Sequence, residues 1–254
     1  MGMQFSDMVF ADQVKDMNGS AIREIFHLLK VPGMISFAGG NPASSALEPD
    51  VVFISGMSKA KGTNPYQPLL DLGVCVIDIP SSSSIAAVEE DIEFVGSVVG
   101  KETEAQAVVE AMNEKINEIA ALAEGIEEKK SVYFEISPAP YQYSFGQGTF
   151  LNEMIELIGA TNIFADQDGW IPVSAEQVVA ANPDVIITNA DYMEGAVAEI
   201  EAREGWAEVA AVKNHEVYLI GANVSSQPCQ NIVDALMEIA ADVYPEVYGE
   251  LIAK

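Results

Sequence analysis

The sequence predicts an α/β fold of two lobes joined by one long helix, and three observations predict it. A β-branched run introduced by Pro-Asp, Pro49-Asp50-Val51-Val52-Phe53-Ile54, recurs as Pro183-Asp184-Val185-Ile186-Ile187-Thr188. Each copy leads through a helical stretch to a second apolar strand, Val74-Cys75-Val76-Ile77-Asp78-Ile79 in the first and Glu216-Val217-Tyr218-Leu219-Ile220 in the second. Such near-continuous apolar runs suit parallel strands buried on both faces, and two copies of one strand-helix-strand unit imply two related lobes. Between the copies, residues 102 to 123 place Val108, Met112, Ile116, Ile119 and Ala123 on one stripe. As a single helix they run about 33 Å at 1.5 Å per residue, enough to span a lobe and to act as a restricted hinge.

The elements follow in order. Residues 18 to 31 read as a short helix that Ser20 can cap, with Ile22, Ile25, Phe26 and Leu29 at helical spacing and Pro32-Gly33 as its stop. A brief strand, Ile35-Ser36-Phe37, and a loop through Gly39-Gly40-Asn41-Pro42 follow, with a seam near Leu47. After the first strand pair, Ile85, Val88, Ile92 and Val95 form the stripe of an amphipathic helix that precedes the long one. Ser131 to Ile136 is a strand, and a loop rich in Pro and aromatics runs from Ser137 to Gly148. Thr149 caps a helix carrying Phe150, Met154, Ile155 and Ile158, and Ser174 with Gln177 forms a capping box for the next, which stops near Asn182-Pro183. The final helix spans about Asn231 to Tyr244, with Ile232, Leu236, Ile239 and Val243 on the face that packs on the sheet.

Composition narrows the chemistry. Hydrophobic residues make up 49% of the 254, enough to fill sizeable cores, while 12 Lys and Arg against 39 Asp and Glu leave a net charge of -27. That charge repels phosphate backbones, and Arg23 and Arg203 are the only guanidinium groups, so nucleic-acid binding is not expected. Cys75 and Cys229 form no CxxC pair, and the two histidines, His27 and His215, sit on a helix and in a turn. No disulfide framework, zinc site or His-assisted nucleophile is expected, and no catalytic residue is assigned. Gly96-Ser97-Val98-Val99-Gly100-Lys101 is one residue short of a phosphate loop and ends a helix, so it reads as a helix terminus. The acidic runs Glu89-Glu90-Asp91 and Glu127-Glu128 read as solvated faces, and no metal site is expected.

The candidate binding residues are aromatic and amide side chains on loops that follow or flank strands. Loops at the carboxyl ends of parallel strands line the ligand crevice of an α/β lobe. Tyr141, Gln142, Tyr143, Trp170, Asn189 and Tyr192 fall on such loops. Tyr143 and Phe145 serve equally well as caps on the lobe core, whereas Trp170, in the turn Asp168-Gly169-Trp170-Ile171-Pro172, suits a ring facing solvent or ligand.

From about Pro49 onward the chain resembles the substrate-binding proteins of ABC importers for vitamin B12, ferric siderophores and haem. The resemblance is carried by Pro49-Asp50-Val51-Val52, Gly148-Thr149-Phe150-Leu151, Gly169-Trp170-Ile171-Pro172-Val173-Ser174-Ala175-Glu176, Ala181-Asn182-Pro183-Asp184-Val185, Gly205-Trp206 and Ala211-Val212-Lys213-Asn214, in that order. It implies two Rossmann-like lobes, a non-enzymatic protein closing on a small-molecule ligand between them, no covalently bound cofactor, and an ABC transporter permease as partner. It further implies that Trp170 contacts the ligand and that Glu176 docks on a permease arginine. The first turn of a helix favours a carboxylate at Glu176 in any case. The aromatic and amide loops, without Arg or Lys, suit a large, roughly neutral ligand such as cobalamin better than an anionic siderophore or haem.

Residues 1 to about 46 are similar instead to the N-terminal arm of PLP-dependent class I aminotransferases of the 2-aminoadipate type, through Asp16-Met17-Asn18-Gly19-Ser20-Ala21-Ile22-Arg23-Glu24-Ile25 and Ile35-Ser36-Phe37-Ala38-Gly39-Gly40-Asn41-Pro42. The PLP lysine segment and the other binding residues of that family have no counterpart, which makes transamination a remote alternative. The chain thus reads as a chimera, whether by natural recombination, deliberate joining or sequence assembly: a foreign segment over 1–46, a truncated and remodelled first lobe over 47–100, an interdomain helix over 101–126 and a complete second lobe over 127–254. The competing expectation is a recombined globular fold without ligand-binding activity, and self-association through the remodelled lobe is a further one. The resemblance places the protein outside the cytoplasmic membrane, periplasmic or lipid-anchored; the N-terminus as written has no signal peptide or lipobox, which places it in the cytoplasm if the chain is complete.

Overall fold

The computed structural model describes residues 49–54 and 64–252. The expectations for the aminotransferase-like arm and for a remodelled lobe built on it fall outside the described residues. Those described divide into two compact units, one ending at Ile77 and the other beginning at Asp78.

In the first unit, β1 (Val51–Ile54) pairs with β2 (Cys75–Asp78), and the Cys75 amide donates to the Asp50 carbonyl at 3.0 Å. The short helix α1 (Gln67–Asp71) lies between them, with a proline in its first turn. Gly73, at φ 82°, makes the left-handed turn that returns the chain to β2.

The second unit is built on a four-stranded parallel sheet in the order β5 (Thr161–Asn162), β3 (Ser131–Glu135), β7 (Val185–Thr188), β8 (Val217–Leu219). Its central strands are buried on both faces, as their unbroken apolar runs require. Strand alternation sends Val132, Phe134, Val185 and Ile187 into one core and Tyr133 and Ile186 into another.

The larger core is closed by α2 (Ile85–Val99), α3 (Glu102–Ala123), α4 (Phe150–Leu157), α9 (Ile232–Val243) and α10 (Pro245–Ile252). The smaller receives Val178 from α5 (Ala175–Ala181), Ile200 from α6 (Ala196–Glu201) and Ala211 and Val212 from α7 (Ala210–Lys213), with Trp206 fully buried among them. One further short helix, α8 (Ala222–Ser225), follows β8.

Several sequence expectations meet the structure directly. The long helix has the expected bounds, Thr149 and Ser174 cap their helices, and the Ser174–Gln177 capping box is formed at both ends. Gly96–Lys101 is a helix terminus: Gly100 caps α2 at φ 69°, and a Cβ on Gly96 would lie 2.4 Å from Ala105 Cβ, so glycine permits the close crossing of α2 and α3.

The structure departs from the sequence reading in three places. Its compact division falls after Ile77, and α2 and α3 pack with the second unit through Ile85, Val88, Met112, Ile116 and Ile119, where the reading assigned them to a first lobe and a joining helix. The loop over 137–148 and the turn at 168–172 contain β4 (Tyr143–Phe145) and β6 (Trp170–Pro172), an antiparallel ribbon in which Phe145 lies opposite Trp170. The chain continues past Tyr244 into α10, whose Tyr248 hydroxyl donates to the carbonyls of Ile158 at 3.0 Å and Ile119 at 3.4 Å. Pro245 starts that helix, where its fixed φ suits a first turn and its missing N–H costs no bond.

Candidate functional site

Parallel pairing brings the carboxyl ends of β3, β7 and β8 to one edge of the second unit's sheet, and the loops leaving them carry the polar groups of the candidate site. Glu135 closes β3 and is buried. It accepts two hydrogen bonds from Arg203, Nη1 to Oε2 at 2.6 Å and Nη2 to Oε1 at 2.8 Å. The Gln142 amide donates to the same carboxylate at 3.0 Å and the Tyr133 hydroxyl at 3.2 Å. Arg203 is also held by Glu199 of α6, at 2.6 and 3.0 Å, and lies 4.8 Å from the centre of the Trp206 ring. Burial pulls the Arg203 pKa down, but its bonds to Glu135 and Glu199 outweigh that and leave it raised. Burial first, then the Glu135 charge, pushes the Tyr133 phenol up, so it stays a donor.

Beyond β7, Asn189 donates to the hydroxyls of Ser225 and Ser226, both at 3.0 Å, and Asp191 accepts from the first amide of α8 at 2.9 Å. The loops after β7 and β8 are thereby tied together. Ser226 then lines a pocket of about 250 Å³ with Ser81, Ser82, Ser83, Gly148, Thr149, Phe150, Trp170 and Pro228.

Trp170 forms the aromatic wall of that pocket. Its ring meets Phe145 edge-on at 6.0 Å and Phe150 at 6.5 Å, and both supporting rings are buried. More than half of the indole, 55%, still faces solvent. Such a ring is anchored on one side and open on the other, as a stacking platform must be. The same pocket is lined by the residues that lead into the N-terminal turns of α2 and α4. Ser84 accepts from the Ala87 amide at 3.1 Å and Thr149 from that of Asn152 at 3.2 Å, while Glu153 accepts from the Ile85 amide at 2.7 Å. Ser82 donates to Asp91. The lining is thus aromatic and hydroxyl-bearing with no basic side chain, chemistry suited to a neutral ligand surface bearing amides or hydroxyls. Pockets that enclose a drug-sized ligand start at roughly 300 Å³, so this volume is too small to enclose such a molecule whole.

The structure separates the six expected ligand contacts by environment. Tyr141, Tyr192, Trp170 and Tyr143 are exposed to 78%, 73%, 55% and 44%. Gln142 and Asn189 are buried, with their amides committed to Glu135 and to the two serines, so they brace the loops and do not face outward. Of the six, Trp170 lines the pocket. Glu176 is exposed in the first turn of α5, where its own backbone amide and the Ser174 hydroxyl lower its pKa. Among the described residues no three His, Cys, Asp or Glu side chains gather as metal ligands.

Sequence reasoning missed Glu135, Arg203, Thr149's place at the pocket, and Ser226. The available signal was a carboxylate ending the apolar run Ser131–Glu135, since a charge there demands a partner, and the second unit contains one arginine to supply it.

Comparison with known proteins gives this geometry a family. Over 207 residues the chain is 34% identical to an uncharacterised ABC transporter substrate-binding lipoprotein of Bacillus subtilis, covering 81% of this chain and 65% of that protein. Over 219 residues it is 25% identical to a cobalamin-binding protein of Halobacterium salinarum, covering 80% and 57%. The chain therefore spans less than two thirds of the length of these relatives. Its fold matches the crystal structure of a possible iron-binding (periplasmic solute-binding) protein from Staphylococcus epidermidis with a TM-score of 0.69 at 28% identity, over 77% of this chain and 76% of that one. The sequence profile of the periplasmic binding proteins matches residues 45–224, and the chain belongs to that family.

Proposed function

We propose that this protein is the solute-binding component of an ABC importer, that it binds a large cofactor-like ligand against the carboxyl edge of the second unit's sheet, and that cobalamin is that ligand. The observation that carries the reading is Trp170, half-exposed over a hydroxyl-lined pocket and braced by Phe145 and Phe150. A flat, neutral ligand face bearing amides fits this lining, and the cobalamin-binding protein of Halobacterium salinarum is among the relatives. A siderophore or haem carboxylate calls for a basic partner. Arg203, the one guanidinium among the described residues, is already neutralised by Glu135 and Glu199. Tyr141, Tyr143 and Tyr192 extend the aromatic surface, and Glu176 offers an exposed carboxylate on which a permease arginine can seat. With such a permease as partner, the protein works outside the cytoplasmic membrane, periplasmic or lipid-anchored.

A ligand selective for the folded state raises the melting midpoint. The expected result is a rise with cobalamin that exceeds any with haem or a ferric siderophore. A cooperative melt unmoved by all three would contradict the reading and favour a fold without a ligand. For docking, a Glu176→Ala protein that still stimulates its permease fully would remove that role.

A further inference from the structure

We propose that Glu135 is a positioning residue, whose ion pair with Arg203 clamps together the two tyrosine-bearing loops of the ligand face and holds that face preformed. The inference rests on the ligand reading above for its consequence, though not for the clamp itself. Among the described residues Glu135 is the only buried carboxylate, and its two oxygens receive the Arg203 fork, the Gln142 amide and the Tyr133 hydroxyl. A charge is costly to bury without such partners, and a parallel strand can end in a neutral residue at no loss. What the pair does here is connect distant segments.

Gln142 lies next to the exposed Tyr141, in the loop that leaves β3 and returns as β4. Arg203 grips Glu199 of α6, the helix that begins four residues beyond the exposed Tyr192. Glu135 is thus the common partner of both loops, with side-chain exposures of 1% for Glu135 and 9% for Arg203 shielding the bond from water. A face ordered before the ligand arrives does not lose loop entropy on binding, and affinity rises accordingly.

Two variants and two readouts test this. Glu135→Gln keeps the shape and removes the charge; Arg203→Lys keeps the charge and removes the planar fork. Amide hydrogen exchange of the unliganded protein reports the clamp at Tyr143, bonded to the Ser137 carbonyl, and at Met193 and Glu199, bonded to those of Ala190 and Gly195. The expected result is exchange at least ten-fold faster at these amides in Glu135→Gln, with the amides of β7 unchanged. Cobalamin affinity is expected to weaken by a similar factor.

Loop amides that stay within two-fold of the parent protein would overturn the clamp. Faster loop exchange with undiminished cobalamin affinity would overturn the positioning role, as would faster exchange in β7 as well, the mark of a general loss of stability. A parent protein that binds none of the three ligands would contradict the ligand reading, while its exchange pattern would still decide the clamp. Should Glu135→Gln fail to fold, Arg203→Lys carries the same readouts.

Discussion

Replacing Ile119 by alanine tests whether the long helix α3 is part of the second unit's cooperative core. Ile119 is fully buried there with Met112, Ile116, Met154, Ile158 and Tyr248. The substitution removes about three carbon groups from that core, and at about 0.8 kcal/mol each the lost transfer energy is about 2.4 kcal/mol. The cavity left among helices that relax only partly lifts the total to about 3–4 kcal/mol. Urea unfolding followed by tryptophan emission is the direct assay, because both tryptophans, Trp170 and Trp206, lie in the second unit and the first is silent. With a slope of about 2 kcal/mol per molar urea, the midpoint falls by about 1.5–2 M. Val108, on the same helix but 38% exposed, serves as the control, with an expected loss below about 1 kcal/mol on truncation to alanine. An Ile119→Ala midpoint indistinguishable from that of Val108→Ala would refute the assignment of α3 to this unit.

Two further outcomes follow from the charges. Burial and the neighbouring Glu238 push Asp242 from 3.8 up to about 6. The folded state therefore holds this proton more tightly than the unfolded one, so ionisation destabilises the fold above pH 6, and the penalty fades as pH falls through 6 towards 4. Asp242→Asn should stabilise by about 1 kcal/mol at pH 8, after allowance for solvent screening of a half-buried group, and by only a small part of that at pH 4; paired melts at the two values measure it, and an equal gain at both would refute the cause. A net charge of -27 makes the chain repel itself, and the screening length shortens from about 10 Å at 0.1 M salt to about 3 Å at 1 M. The melting midpoint should rise by several degrees over that range in sodium chloride, and a flat response would show that the acidic surface is already neutralised by its own geometry.

Much of the second unit was legible because its signals are local. The bounds of α3, the caps at Thr149 and Ser174 and the central strands β3 and β7 each depend on spacing within a few residues, which a sequence displays openly. The β4–β6 ribbon was not, since its three-residue strands are specified by partners more than twenty residues away and show no period of their own. The unit boundary was hidden for a related reason: the stripes of α2 and α3 announce that each buries a face but not which core receives it. At the site, the turn and the resemblance point to Trp170, which lies half-exposed beside a pocket. Gln142 and Asn189 lie on loops where the sequence predicts ligand contacts, yet each satisfies a buried partner whose identity, Glu135 or the Ser225–Ser226 pair, only tertiary geometry discloses.

Isothermal titration of the purified protein with cobalamin, alongside Trp170→Ala, decides whether the Trp170 pocket holds this ligand. Trp170 is half outside the fold, so its loss lowers the melting midpoint but leaves the folded state populated at 25 °C while removing the stacking surface, worth about 1.5 kcal/mol or more and hence at least ten-fold in affinity. Saturable one-site binding to the parent protein is expected, with affinity at least ten-fold weaker for Trp170→Ala. Absence of binding to the parent, or equal affinity in both proteins, would contradict the cobalamin reading.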